Sequence, residues 1–183
     1  AALIDIKQGL SDPHNGGQAV SVLTFAASDG NSTSRLVYKP KDMGVDLAYQ
    51  QALDHLNRNS ALTPLRSLSI HCGDDYGYME YVDHRLCRGD DELKRFYRNA
   101  GRLTSVLHLF GCTDCHHENL IASGDQLMLI DTETLLEADL PDHIGDASDH
   151  QTALNQSDLL KRFQNSVLRS GLLPTWLFIA QAR

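Results

Sequence analysis

A short hairpin pattern in the second half of the chain constrains the fold more than any other feature. Two apolar runs, residues 120–122 and 127–130, flank Ser123-Gly124-Asp125, which is a combination typical of two antiparallel strands joined by a tight turn. Asn119 directly precedes this pattern and Asp131 directly follows it, so we expect Asp131 to lie where the hairpin ends.

The polar residues around the hairpin have a spacing that is typical of phosphotransfer. Asp114, Asn119 and Asp131 occur in that order, with five residues from the first to the second. In kinases a catalytic-loop Asp accepts the proton of the substrate hydroxyl, an Asn five residues later binds magnesium, and a later Asp holds the phosphates through metal. The pattern therefore predicts ATP and Mg²⁺ as ligands.

The same stretch contains a Cys-x-x-Cys-His pattern, Cys112 to His116, which is also the spacing of covalent haem attachment. Five residues match such a pattern easily by chance. A zinc site would normally recruit a second, distant ligand pair, and neither Cys72 nor Cys87 has a close sequence partner. We therefore interpret the cysteines as small, partly buried, reduced side chains.

Composition restricts the possible functions. The chain has 183 residues, 42% of them hydrophobic and 22% charged, as in ordinary globular domains. Its net charge of -8 argues against nonspecific nucleic-acid binding, and no apolar stretch is long enough for membrane insertion. We expect a soluble cytoplasmic protein and, from the apolar character of both ends, an excerpt from a longer polypeptide.

The remaining patterns predict an α+β fold. Residues 19–25 and 35–39 favour an antiparallel hairpin, and residues 68–72 and 77–82 favour a second strand pair that leads into a hinge. Helical periodicity covers 45–57 and 91–110, with Asp46 placed to suit the helix dipole. We expect a polar surface loop over 138–157 and a last helix over 158–169.

Several ordered motifs resemble one known family. They are GLSDPHNGG at 9–17, LVYKP at 36–40, YGYME at 76–80, TDCHHEN at 113–119, LIDTET at 129–134 and SVLRSGLLP at 166–174. On these motifs, which cover nearly the whole chain, the sequence resembles the dehydratase domain of class II lanthipeptide synthetases. The resemblance implies a two-lobed, kinase-like core, similar to lipid kinases, with an antiparallel β lobe and a mainly helical lobe. It implies one domain over 1–183, with the β-rich lobe and hinge in about 1–82 and the helical lobe in about 83–183.

The resemblance also implies an activity. Such a domain phosphorylates Ser and Thr of a ribosomally made precursor peptide, which carries a leader, with ATP and Mg²⁺. It then eliminates the phosphate to give dehydroalanine or dehydrobutyrine. A separate cyclase domain would lie elsewhere in the longer polypeptide.

Residue roles follow from kinase chemistry and from the resemblance. Lys39, on a strand of the small lobe, would hold the ATP phosphates, whereas we expect Lys41 to be an ordinary surface lysine. Asp114 would accept the hydroxyl proton, and His116 would contact the phosphates or brace Asp114. The expected magnesium ligands are Asn119 and Asp131. Glu133 would be a further ligand, or it would accept a hydrogen bond from a group that binds the metal.

The resemblance places Asp12 and His14 in the active site for elimination. That step needs a base for the Cα proton and groups that stabilise the departing phosphate, and a His braced by an Asp can serve in either role. The other interpretation of Asp12 is a turn-capping side chain before Pro13.

Two alternatives remain open from sequence. One is a simple ATP-dependent phosphotransferase that uses Lys39, Asp114, Asn119 and Asp131 without elimination. The other is a noncatalytic kinase-like scaffold that binds a peptide or a partner. The retained metal-ligand residue types argue against the scaffold, although a binding module can keep them.

Overall fold

The computed structural model describes residues 1–10, 18–28, 32–136 and 161–173. Its secondary structure is a mixture of strands and helices, so the predicted α+β class is confirmed. The strands are β1 Ala2–Lys7, β2 Ser21–Ala26, β3 Thr33–Lys39, β4 Ile70–Cys72, β5 Gly77–Glu80, β6 Leu120–Ser123 and β7 Gln126–Leu129. The helices are α1 Gly44–Arg58 and α2 Asp90–Leu109, with 3₁₀ turns at His117–Asn119 and Val167–Ser170.

Five strands form one antiparallel sheet in the order β1-β2-β3-β5-β4. Both predicted strand pairs are confirmed, since β2 pairs with β3 and β4 pairs with β5. The central strand β3 ends at Lys39, opposite Gly77 of β5. Side chains two residues apart point to the same face of a strand, so Val37 and Lys39 share one face of the sheet.

The two predicted helices are also confirmed, and they pack around the larger apolar core. The buried residues of α2 include Leu103 and Leu107, which lie one turn apart on one side of the helix. They meet Tyr49 and Leu53 of α1 and Leu129 of β7. Burial of each large apolar side chain contributes about 1.5–3 kcal/mol, so this face holds β7 firmly against the helices.

A second apolar core joins the sheet to the β6–β7 hairpin. It contains Met79 from β5, Val82 just after β5, Met43 before α1, and Met128 from β7. Because Met79 and Met128 pack in the same cluster, this core fixes the position of the hairpin relative to the sheet.

The predicted hairpin is confirmed, and its turn fixes the register of its ends. Ser123 pairs with Gln126 and Leu120 pairs with Leu129 across a two-residue turn in which Gly124 has a φ of 60°. The next hydrogen bond runs from the Ile130 N–H to the Asn119 carbonyl, at 2.9 Å. The residues before β6 and after β7 are therefore neighbours.

One predicted element differs from the structure. The helix expected over 158–169 is described from residue 161, and it ends at residue 164 before a separate 3₁₀ turn. Ser166 has an extended backbone, and its Oγ accepts a hydrogen bond from the Leu168 N–H at 3.3 Å. A serine that caps a new turn interrupts a helix in this way.

Three predictions fall on parts of the chain that the structure leaves out. The expected surface loop over 138–157 lies outside the described residues, as do Asp12 and His14. Among the residues that are described, no helix is both long enough and apolar enough to cross a bilayer.

Candidate functional site

A cleft of about 950 Å³ opens between the five-stranded sheet and the hairpin. Its apolar lining includes Val22 and Val37 from the sheet and Ile121 and Ile130 from the hairpin side. All the predicted site residues that the structure describes also line it, namely Lys39, Asp114, His116, Asn119, Asp131 and Glu133. The structure thus brings these six residues together.

Lys39 is buried at the inner end of β3. Its side chain is only 5% exposed, and Nζ donates a hydrogen bond to the Ile130 carbonyl at 2.5 Å. Nζ also lies 3.7 Å from Asp46 Oδ1 and 3.9 Å from Asp131 Oδ2. Burial lowers the pKa of Lys39, and the two carboxylates oppose that effect because they favour the charged ammonium.

Asp46 is a site residue that the sequence analysis missed. We expected a helix-dipole role, but the side chain is 3% exposed and turns from the first turn of α1 toward Lys39. Burial raises the pKa of Asp46, and the nearby Lys39 ammonium opposes the shift. The available signal was an acidic residue in the helix that follows the lysine strand, because kinases pair their strand lysine with a helical carboxylate.

The loop from Asp114 to Asn119 is held together by its own side chains. Asn119 Nδ2 donates to the Asp114 carbonyl at 2.9 Å and to Asp114 Oδ2 at 3.1 Å. The amide nitrogen is therefore engaged, and Asn119 Oδ1 is the atom that can bind a cation. The Asp114 carboxylate is half exposed, so a substrate can reach it from the cleft.

His116 lies against the outer side of Asp114. Its Nδ1 accepts a hydrogen bond from the Glu118 N–H at 3.2 Å, which assigns the proton of the neutral ring to Nε2. Nε2 lies 3.4 Å from Asp114 Oδ1. His116 thus directs its donor atom at the Asp114 carboxylate.

Thr134 links the two loops of the site, a contact that its sequence motif did not reveal. Its Oγ1 accepts hydrogen bonds from the N–H groups of Asp114, at 3.2 Å, and Thr113, at 3.4 Å. The segment after β7 therefore supports the backbone that carries Asp114.

Asp131 and Glu133 share a second lysine. Lys41 Nζ lies 2.9 Å from Asp131 Oδ1 and 2.6 Å from Glu133 Oε1. The expectation that Lys41 is an ordinary surface lysine is wrong, because the chain turn after β3 carries its ammonium to the two carboxylates. Partial burial acts to raise the pKa of Asp131, but the charges of Lys39 and Lys41 and the Lys41 hydrogen bond lower it below its ordinary value.

The oxygen donors of the site suit a hard cation. Asp131, Glu133 and Asn119 offer two carboxylates and one amide oxygen, and magnesium commonly uses one or two carboxylates together with phosphate and water oxygens. Within the described parts of the chain there is no group of three or more His, Cys, Asp and Glu side chains arranged to hold a metal. The three donors are all oxygens, and such a set fits magnesium better than zinc, whose structural sites use sulfur and nitrogen.

The two cysteines beside Asp114 belong to the core. Cys112 and Cys115 are almost fully buried, and the Cys115 thiol donates to Cys112 Sγ at 3.1 Å. This hydrogen bond lowers the pKa of Cys112 to about 6, while the same contact and burial raise the pKa of Cys115. All four cysteines are free thiols. The burial of Cys112 and Cys115 agrees with the interpretation of these two residues as packing side chains.

Together, the fold and the site define an α+β domain whose cleft combines a buried strand lysine with oxygen-bearing side chains from a hairpin and its flanking loops. The chain belongs to the DUF4135 family, a domain of unknown function whose match covers residues 1–183. It is also 27% identical over 171 residues to the lacticin 481/lactococcin biosynthesis protein LcnDR2 of Lactococcus lactis subsp. lactis.

That similarity covers 89% of this chain and 17% of the relative, so the chain spans about a sixth of the relative's length. The resemblance to lanthipeptide synthetases that the motifs indicated is confirmed at the level of a related domain.

Proposed function

We propose that this chain is the phosphotransfer core of a lanthipeptide dehydratase, with a two-lobed, kinase-like arrangement similar to that of lipid kinases. It would phosphorylate Ser and Thr of a precursor peptide. The single observation that carries the proposal is the meeting of Lys39, from the sheet, with Asp131, from the hairpin, in one cleft that also contains Asp114 and Asn119. The relationship to a lacticin biosynthesis protein supports a precursor peptide as the substrate class.

The cleft suits a nucleotide in size and polarity. Its volume of about 950 Å³ is at the upper end of the range for small-molecule sites, roughly 300–1,000 Å³. Along β3 the lining changes from apolar at Val37 to cationic at Lys39. A base would lie beside Val22, Val37 and Met79, and the phosphates would extend toward Lys39.

Lys39 would contact the phosphates, and Asp46 would position it. Asp46 favours the charged ammonium from the α1 side, and the ammonium is directed at the Asp131 end of the cleft. A compact ammonium of this kind binds phosphate as a point charge.

Asp114 would orient the peptide hydroxyl and accept its proton. The Asn119 amide holds one of its carboxylate oxygens, and His116 faces the other. This geometry favours a bracing role for His116, and it leaves half of the carboxylate open to the incoming hydroxyl.

Asn119, Asp131 and Glu133 would hold the magnesium. When bound, magnesium neutralises charge on the phosphate oxygens and fixes their orientation. The hairpin register places Asn119 and the residue before Asp131 side by side, which keeps the two principal donors at a fixed separation.

Elimination would use residues beyond those described. On the family resemblance, Asp12 and His14 would belong to that site, and we propose further elimination residues and a cyclase domain in a longer polypeptide. A leader-bearing precursor peptide would be the partner, and the reaction would take place in the cytoplasm.

The test is peptide mass spectrometry with the full-length protein, ATP, magnesium and a Ser- and Thr-containing precursor peptide. Wild type is expected to remove water from the peptide. Asp114→Asn should leave the peptide unmodified, whereas His14→Ala should accumulate phosphopeptide, because phosphorylation continues without elimination. Lys94→Met, on the exposed face of α2, serves as a matched control and should behave as wild type.

Full modification by the Asp114→Asn variant would disprove the assigned chemistry. Phosphopeptide without any dehydration by wild type would favour a simple phosphotransferase. Normal dehydration by His14→Ala would remove that residue from the elimination site.

A further inference from the structure

Lys41 occupies the position of a cation between two proposed metal ligands. Its ammonium is within hydrogen-bonding distance of both Asp131 Oδ1 and Glu133 Oε1. The side chain is only 20% exposed, so it packs beside the two carboxylates that line the cleft and does not extend into solvent. The proposed function assigns no role to this residue.

An ammonium and a divalent ion compete for the same carboxylate oxygens. Magnesium binds such oxygens at about 2.0–2.1 Å, through the lone pairs to which an ammonium donates its hydrogen bonds. An ammonium and a magnesium ion bound to one carboxylate would also repel each other. A metal that binds the same two oxygens, Asp131 Oδ1 and Glu133 Oε1, would therefore displace Lys41 from at least one of them.

Lys39 is arranged differently, although it is only two residues away. It is buried, it contacts the other oxygen of Asp131, and it retains Asp46 and the Ile130 carbonyl as partners. Displacement from Asp131 would leave Lys39 in place. Lys41, by contrast, depends on the two carboxylates that the metal would take.

We propose that Lys41 is a resident counter-cation of the metal loop. In the nucleotide-free protein it neutralises Asp131 and Glu133 and competes with divalent metal. When metal and nucleotide enter together, its ammonium moves to the phosphate oxygens, which replace the carboxylates as its partners. The domain would consequently bind free metal weakly and metal with nucleotide strongly. This inference rests on the proposed function, because it takes Asp131 and Glu133 as metal ligands.

The test measures Mn²⁺ binding to the full-length protein by electron paramagnetic resonance of the free ion, with and without a nonhydrolysable ATP analogue. Lys41→Met is expected to bind Mn²⁺ about tenfold more tightly without nucleotide, because both the competitor and its repulsion are removed. With Mn²⁺ present, it should bind the analogue several-fold more weakly than wild type does. Lys41→Arg, which keeps the cation, and the control Lys94→Met should both stay close to wild type.

A purely structural ion pair would give no gain in affinity for Mn²⁺ when Lys41 is replaced. If Lys41 only holds the loop in shape, Lys41→Met would bind free Mn²⁺ as weakly as wild type or more weakly, and that result overturns the inference. Lys41→Gln provides a second uncharged variant, should Lys41→Met fail to fold.

The variant Asp131→Asn distinguishes a failure of the proposed metal site from a failure of the proposed role of Lys41. Nucleotide-dependent Mn²⁺ binding that Asp131→Asn leaves intact would also overturn the proposed metal site, whereas loss in Asp131→Asn with no gain in Lys41→Met would overturn the role of Lys41 alone.

Discussion

At the scale of single residues, the site depends on a lysine that is buried among carboxylates. Taking a charge out of water is costly, and Lys39 is tolerated because Asp46, Asp131 and the Ile130 carbonyl surround its ammonium. Such an arrangement adds little net stability compared with apolar side chains, but it fixes where the charge lies. The removal of one partner should therefore be much more damaging than the removal of both.

This asymmetry gives a prediction for Asp46. Asp46→Leu should lower the opening free energy of α1 by about 3 kcal/mol, because the Lys39 ammonium loses its buried partner. The double variant Lys39→Met with Asp46→Leu should lose clearly less than the sum of the two single variants, since neither charge remains. Native-state hydrogen exchange of the α1 amides in the intact protein measures all three values. Strictly additive losses would show that the two side chains do not interact.

At the scale of elements, the β6–β7 hairpin determines the separation of Asn119 and Asp131. Its turn requires a positive φ at Gly124, and a Cβ built there would lie 1.8 Å from the Arg85 guanidinium. Arg85 in turn joins the hairpin through backbone hydrogen bonds with Ala122 and Gly124. The glycine therefore satisfies both the turn conformation and the close approach of Arg85.

Gly124→Ala should destabilise the hairpin by about 1–2 kcal/mol, because alanine is strained at this φ and displaces Arg85. The same substitution should weaken metal and nucleotide binding, since the proposed metal ligands Asn119 and Asp131 lie at the two ends of the hairpin.

Gly101→Ala is the matched control. Gly101 lies inside α2 with open space around it, so alanine should stabilise that helix by about 0.5–1 kcal/mol. Hydrogen exchange of the two elements reports both changes, and equal effects at the two glycines would contradict this account of the turn.

The elements were predictable from sequence because their signals are local. The β-favouring composition of β2 and β3, the helical period of α1 and α2, and the Gly124 turn each depend on residues close in the chain. The partners of Asp46 and Lys41 were not predictable in this way. Both contacts depend on how α1 and the segment after β3 pack against the hairpin, so neither helical period nor local charge pattern reveals them. For the helix expected over 158–169, only the predicted end was wrong, because Ser166 offered a competing local hydrogen bond.

At the scale of the whole molecule, two apolar cores hold the sheet, the helices and the hairpin around one cleft. One core joins α1, α2 and β7, and the other joins β5 to β7. Because β7 contributes to both, a shift of the hairpin relative to the sheet would disturb both cores together. The two cores therefore fix the walls of the cleft, so that the side chains of Lys39 and Asp131 meet from opposite sides of it.

The most direct test of the central claim is a crystal structure of the full-length protein with Mn²⁺ and a nonhydrolysable ATP analogue. The account predicts an anomalous manganese peak bonded to Asn119 Oδ1 and an Asp131 carboxylate oxygen, with a phosphate oxygen within hydrogen-bonding distance of Lys39 Nζ. A nucleotide bound elsewhere, or manganese bound without contact to Asp131, would contradict it.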